Sequence, residues 1–308
     1  MKKILGVNLS HESSFAFFKN KILTEYYEEE RFNKVKKFYL EPKVGVKYEY
    51  QCLKKFKDIE FDMVVFNSFD MGNSVFEKTL IDNILPQIKC KNFMYVEHEH
   101  HRFHALCGFY FSKFKEAIAV IVDGGGERII RDDFQTVESI WKINKKNINV
   151  CYRHATIKRS DYFNNFVDTE INFKHDDGWD IRLSNKLAGG LKYSTYRKQA
   201  GFKKGEEGQL MGVAAYKNKI TDIDSKLIEI ANKAQDETLK ETIELIKKAK
   251  TYSDCKNIIL SGGYHLNCSN NFKLVKHFPE LNFFVDPMPY DGGTAVGAAY
   301  YYEKNYNK

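Results

Sequence analysis

At 308 residues, 43% hydrophobic and 29% charged, with 24 Phe, 19 Tyr and only 5 Pro, the chain can bury a large core and lacks the composition of a disordered segment. A net charge of +7 is modest for this length, so the lysine groups Lys34/Lys36/Lys37, Lys203/Lys204 and Lys247/Lys248/Lys250 read first as solvated faces, with a nucleic-acid surface as the alternative. No segment has the length of a membrane span, MKKILGVNLS lacks a signal-peptide core, and Cys52, Cys90, Cys107, Cys151, Cys255 and Cys268 form no CxxC pair, so a cytoplasmic protein with free thiols and no membrane partner is expected.

In chain order, ILGVNLS is an apolar strand that ends in the polar turn Ser10-His11-Glu12-Ser13-Ser14. FAFFKNKILTEYYEEERF follows as a hairpin around Lys19-Asn20-Lys21. A helix is predicted from Val44 to Phe56, a strand at FDMVVFNS, a helix from Asn73 to Ile88, a strand at NFMYVEH and a histidine-rich helix to about Phe111. From Ala117 the pattern restarts: AIAVIVDGGGERII repeats the plan of strand, turn and strand, and VESIWKIN and INVCYRHA extend the sheet. Helices are predicted at Leu183 to Ala200, Gly208 to Tyr216 and Ile223 to Ala249. The strand NIILSGG, a helix from His265 to His277, the strand LNFFVDP and a helix from Thr294 to Glu303 complete the chain. The repeated plan implies two tandem α/β lobes, 1–114 and 115–308, with ligands bound in a cleft beyond the carboxyl ends of the strands.

Three constellations carry chemistry. His100 and His104 lie four residues apart and project from one helix face, so both nitrogens can reach one ion. Asp291, before a Gly-Gly turn, offers a carboxylate, and two imidazoles with one carboxylate describe a working metal centre with open positions. A surface histidine cluster (His98, His100, His101, His104) is the plainer reading of the pair taken alone. DGGGE, with Asp123, Gly124, Gly125, Gly126 and Glu127, follows a strand. Three glycines let backbone amides approach a phosphate and Asp123 suits a metal-bound water or a ribose, although a glycine-rich hairpin has the same pattern. SGGYHLNCSNN places Ser261, Gly262, Gly263 and Asn267 between a strand and a helix start, where unsatisfied amides bind anions. The second such turn, at Gly292-Gly293, favours a nucleotide whose phosphates are bracketed.

These blocks, taken in order, resemble the N-terminal metal-binding domain of the NodU/CmcH-type carbamoyltransferases. ILGVNLSHESSFAFF resembles the family's ILGIN-x-GHDASAAL opening, EEERFNKVKKF its EEERF stretch, HHRFHALCGFYFSKF its HHxxHAASAFYxSPF, and VDGGGE its VDGxGE. GEEGQLMGVAAY, LSGGYHLNCSNN and DGGTAVGAAYYY resemble its EGKxMGLAxYG, GGVxLNCxxN and DxGxAxGAAL. The resemblance implies the actin-like ATPase superfamily fold, with two ribonuclease-H-like lobes around a central cleft. It implies iron(II), or zinc, on His100, His104 and Asp291, and the adenylate of an ATP-derived carbamoyl-adenylate on the glycine turns. It also implies a role for His11 near the carbamoyl group as base or hydrogen-bond donor, with Glu12 standing where the family has Asp. The family's YrdC-like domain, which makes carbamoyl-adenylate, has no counterpart in these 308 residues, so a separate YrdC-like partner is expected. The function so implied is carbamoyl transfer to a hydroxyl or amine of a sugar, nucleotide or other small acceptor. The alternatives are a tRNA threonylcarbamoyladenosine-type transferase and a non-catalytic nucleotide-binding partner subunit.

Overall fold

Strand-forming runs at the N-terminus become β1 (Lys3–Asn8), β2 (Ser14–Lys19) and β3 (Ile22–Glu28), an antiparallel meander. The computed structural model describes residues 2–40, 47–67, 78, 81–129, 134–157, 170–217, 219 and 222–306. The β2–β3 turn is the expected one, with Asn20 and Lys21 at φ 52° and 66°, the left-handed pair that a two-residue hairpin demands. After the short α1 (Glu30–Asn33), the strands β4 (Glu60–Phe61), β5 (Met63–Asn67), β6 (Lys89–Cys90) and β7 (Phe93–Val96) follow. The main sheet runs β3-β2-β1-β5-β7, with β5 and β7 parallel to β1, while β4 and β6 pair separately. The helix α2 (His100–Ser112) then carries the histidines.

Two predicted helices differ in this stretch. Val44 to Phe56 yields only a 3-10 turn at Cys52–Phe56, with 44–46 outside the described residues. The backbone amides of Tyr48, Tyr50, Gln51 and Cys52 donate to the side chains of Asn83, Gln87 and Glu29, so they are unavailable to a helical ladder. Of Asn73 to Ile88, residues 81–84 are helical and Leu85–Gln87 form a 3-10 turn; 73–77 and 79–80 lie outside the described residues.

The second sheet is built from β8 (Glu116–Val122), β9 (Arg128–Ile129), β10 (Phe134–Asn144), β11 (Ile148–Ile157), β12 (Glu170–Lys174) and β13 (Asp180–Ser184), joined later by β14 (Asn257–Ser261) and β15 (Asn282–Val285). Its path is β12-β13-β11-β10-β8-β14-β15, with β9 beside β10. The five strands β11-β10-β8-β14-β15 repeat the first sheet's plan, an antiparallel meander followed by two parallel strands. Helices α3 (Gly189–Gln199), α4 (Glu207–Ala214), α5 (Ser225–Tyr252) and α6 (Cys268–His277) accompany it. The predicted helix from Leu183 is corrected here. Residues 180–184 form β13, because Ile181 and Leu183 alternate into a small cluster with Ala155, and the helix starts only at Gly189.

The last helix, α7 (Thr294–Tyr306), returns to the first sheet. The chain groups as Met1–Lys113, Gly126–Arg128 and Pro287–Lys308 in one unit, and Phe114–Gly125 with Ile129–Asp286 in the other. The expected division into 1–114 and 115–308 is therefore corrected at its C-terminal end. The cause is the small-residue face of α7: a Cβ on Gly297 would lie 2.1 Å from Phe103 O of α2, and one on Gly6 would lie 2.0 Å from Ala295 O. Backbone thus meets backbone within the first unit, whose aromatic core includes Phe15, Tyr50, Phe56, Phe61 and Phe66.

Candidate metal centre and glycine turns

The HxxxH spacing on α2 does what helical periodicity requires. His100 and His104 are fully buried, and their Nε2 atoms lie 3.1 Å apart. Asp291 Oδ1 lies 3.4 Å from His100 Nε2 and 3.7 Å from His104 Nε2. These are the separations of donors that each lie ~2.1 Å from one shared ion, and two imidazoles with a carboxylate suit iron(II) or zinc alike. Asp291 opens the 3-10 turn Asp291–Gly293 ahead of α7. Ser10 Oγ lies 3.1 Å from its Oδ2, Thr294 Oγ1 donates to its carbonyl, and Ser14 Oγ donates to the carbonyl of Gly292. Burial pushes the Asp291 carboxyl upward, but His100 and then His104 outweigh it and hold the group well below the usual carboxylate range.

The turn after Asp291 is glycine for packing. A Cβ on Gly292 would meet the Tyr290 ring at 2.6 Å and Tyr26 Oη at 2.7 Å, and one on Gly293 would meet Met288 O at 2.1 Å. Gly292 and Gly293 therefore belong with His100, His104 and Asp291 in the first unit, whereas the sequence groups them with the glycine turns of the second. Gly126 also belongs to the first unit, where its Cβ would strike the His101 ring at 2.3 Å. The adjoining Glu127, buried, accepts from His101 N at 3.0 Å and so caps the start of α2.

His11 packs edge-on against the Tyr39 ring at 4.5 Å, one residue from Ser10. Glu12 sits at φ 61° with its carboxylate 3.8 Å from Lys37 Nζ. Two further acids gain roles that sequence reading alone does not give them. Buried Glu28 accepts from Tyr26, Tyr290 and Arg31, and buried Glu29 accepts from Tyr48 Oη and the amides of Gln51 and Cys52. Their only sequence signal is the EEER run itself.

In the second unit, Asp123 follows β8 and its Oδ1 accepts from Gly263 N at 2.9 Å. Gly262, at φ 93°, passes so close to β8 that a Cβ would lie 2.3 Å from Val122 O. Gly190 presses in similarly: a Cβ there would lie 2.6 Å from Asp123 O. The pair Gly189-Gly190, at the start of α3, joins Asp123, Gly124, Gly262 and Gly263 in one backbone-lined region; its signal is a third Gly-Gly at a helix start. Gly125 abuts the Gln135 amide, whereas a Cβ on Gly124 meets nothing among the described residues within 4 Å. Ser261 and Asn267 turn to structural partners. Ser261 Oγ donates to Asp286 at 2.7 Å, and Asn267 caps α6 through Asn270 N while donating to Gln235.

Residues 235–300, from α5 into α7, match the family described as Carbamoyltransferase N-terminus. The Methanocaldococcus jannaschii protein MJ1051 is 26% identical over 96% of this chain, and the Synechocystis protein sll1178 is 22% identical over 97%; each match covers 56% of the relative. The chain thus spans about half the length of the curated relatives it matches. Among solved structures, a ROK family protein from Streptococcus pneumoniae in complex with sucrose superposes with a TM-score of 0.56 at 9% identity, covering 99% of both chains. Full-length HypF, in a phosphate- and nucleotide-bound form, gives 0.55 at 12% identity, covering 99% of this chain and 56% of that one. Component A of the Acidaminococcus fermentans (R)-2-hydroxyglutaryl-CoA dehydratase gives 0.51 at 12% identity over 100% of both. At such identities the likeness speaks for fold alone, and that fold is the actin-like ATPase fold. No helix among the described residues is long and apolar enough to cross a membrane.

Proposed function

We propose that the protein transfers a carbamoyl group from carbamoyl-adenylate to a hydroxyl or amine acceptor, with iron(II) or zinc held by His100, His104 and Asp291. The observation that carries this reading is the convergence of those three donors from α2 and the Asp291 turn, in a chain whose residues 235–300 match a carbamoyltransferase family. A bound divalent ion would supply Lewis acidity for polarising the carbamoyl carbonyl and stabilising the leaving phosphate. Ser10 orients Asp291. In the transfer, the acceptor oxygen or nitrogen forms a bond to the carbamoyl carbon as the carbon–oxygen bond to phosphate breaks. The electron pair leaves with AMP, and the acceptor's proton passes to His11, on the loop that also carries Ser10.

The adenylate is assigned to the second unit. Gly124 and the Gly262-Gly263 turn would admit phosphate oxygens to backbone amides, and Asp123 sets the position of the Gly263 amide. HypF, of the same fold, is described with nucleotide bound, which is consistent with this placement. Carbamoyl-adenylate would come from a YrdC-like activity.

The test is elemental analysis of anaerobically purified wild type, His104→Ala and Asp291→Asn, followed by transfer from supplied carbamoyl-adenylate to a panel of hydroxyl and amine acceptors. Near-stoichiometric iron or zinc in the wild type, lost in both variants together with transfer, is expected. Metal-free wild type, or transfer undiminished in His104→Ala, overturns the assignment. Nucleotide binding without transfer to any acceptor favours a non-catalytic partner subunit.

A further inference from the structure

The second unit contains a cavity of about 580 Å³, within the range of small-molecule sites, and its lining includes none of the residues assigned above. Strands β10, β11 and β13 form one wall and α5 the other, with residues 186–188 and the first turn of α3 closing one side. Glu138 and His154 face each other across the β10–β11 ladder, so sheet register itself brings them together. His154 is 2% exposed, and its Nδ1 lies 2.8 Å from Glu138 Oε2. The carboxylate can only accept, so the proton between them resides on Nδ1, and in the neutral ring Nε2 carries the lone pair. Nε2 has no hydrogen-bond partner among the described residues. A buried acceptor left unbonded is costly, which points to a donor supplied from outside the chain.

The charges of the lining are distributed unequally. Its carboxylates have partners: Glu241 takes Lys192 and the amide of Gly189, Glu237 takes the Tyr196 hydroxyl, and Glu244 takes Lys247. Two of its cations have no carboxylate partner among the described residues. Lys240 is exposed, and Lys248 lies over the Tyr152 ring at 4.4 Å. They are spaced eight residues apart on α5, two turns along one face. The cavity therefore offers positive charge from one helix face and a hydrogen-bond acceptor on a buried imidazole.

We propose that this cavity binds a small organic phosphate that also carries hydroxyl groups, of the sugar-phosphate class. Its phosphate lies against Lys240 and Lys248, and a hydroxyl donates to His154 Nε2.

Calorimetric titration of the intact chain with glucose 6-phosphate, ribose 5-phosphate, AMP, glucose and inorganic phosphate tests this. Saturable binding of at least one sugar phosphate is expected, at least tenfold tighter than glucose or inorganic phosphate. Lys240→Glu, a change at an exposed position, and Lys248→Glu should each weaken it about tenfold, roughly the worth of one charge-assisted contact. His154→Gln should weaken it similarly, and if that variant fails to fold the two lysine variants still decide. In long-range ¹H–¹⁵N spectra, His154 should show the Nδ1–H tautomer, with its Nε2 signal moving on titration. Inorganic phosphate binding as tightly as the sugar phosphates, AMP being the only ligand that binds, affinity indifferent to Lys240 and Lys248, or no binding at all would each overturn the proposal.

Discussion

Replacing Gly297 with alanine probes the link between packing and the proposed metal centre. The new Cβ would lie 2.1 Å from Phe103 O and 2.6 Å from Phe103 C, where ordinary contact begins at 3.4 Å, so α2 and α7 must part by about 1.3 Å along that line. Both obstacles are backbone atoms, which cannot rotate aside. Overpacking costs about 1–3 kcal/mol and here belongs at the upper end, while alanine returns at most about 1 kcal/mol of helix propensity. A net loss of about 2 kcal/mol follows, a fall of roughly 4–8 °C in melting temperature for units of this size. Because α2 carries His100 and His104 and α7 follows Asp291, the same displacement spreads the ligands beyond the ~0.2 Å tolerance of a metal site. Circular dichroism melting and elemental analysis below the transition measure the two effects. Gly212→Ala in α4, where a Cβ meets nothing within 4 Å, is the control: it should leave metal content unchanged and raise stability by up to about 1 kcal/mol. A Gly297→Ala protein that melts with the wild type and keeps its metal would refute the reasoning.

Glu29→Gln should lower urea stability by about 2–3 kcal/mol, because an amide sets an N–H against donors that Glu29 now accepts; a change near zero would show that the network carries no net stability. Burial holds His265 down at about 4, against the hydrogen bond to Asn271, so between pH 6.5 and 4 the unfolded chain binds a proton that the native state does not. Stability should therefore fall as pH drops through that window, by about 2 kcal/mol between pH 7 and pH 5, and His265→Gln should remove this part of the slope. Parallel stability–pH curves for the two proteins would contradict it. Gly124→Ala should leave stability within about 0.5 kcal/mol of wild type, since nothing lies near the added methyl, yet weaken ADP about tenfold; unchanged ADP affinity would remove Gly124 from the nucleotide site.

Most of the fold was legible because hydrophobic period and turn chemistry agree. The β2–β3 hairpin, the strands of AIAVIV and NIILS, and the long α5 each have both signals. What misled was segments whose amides are satisfied from a distance. Residues 48–52 have a plausible helical pattern, but their hydrogen bonds come from Glu29, Asn83 and Gln87, and nothing local in sequence announces that. β12 went unread for another reason: EINFK is an edge strand with every side chain exposed, so burial imposes no pattern on it. The return of α7 to the first unit was equally hidden, since tandem order in sequence does not say on which sheet a terminal helix packs.

The convergence of His100 and His104 was legible because helical spacing is a geometric constraint, and the structure brings both beside Asp291. The glycines were ambiguous for a physical reason: a residue without Cβ serves a phosphate and a close backbone crossing equally well. Local surroundings separate the two uses. Gly126, Gly292 and Gly293 each face an atom within 2.6 Å of where a Cβ would stand, so packing alone requires them. Among the described residues nothing lies within 4 Å of where a Cβ on Gly124 would stand, and its backbone is not left-handed, so neither packing nor conformation accounts for this glycine; the proposed nucleotide site would. The same reasoning demotes Asn267, whose side chain already caps α6 and binds Gln235, and promotes Gly190, which brings the start of α3 against Asp123. The phosphate site proposed for the second unit draws on the amides around Gly124, Gly190 and Gly263: a methyl on Gly190 would strike the Asp123 backbone, one on Gly263 would press on the Asp123 side chain at 3.0 Å, and one on Gly124 meets no described residue within 4 Å.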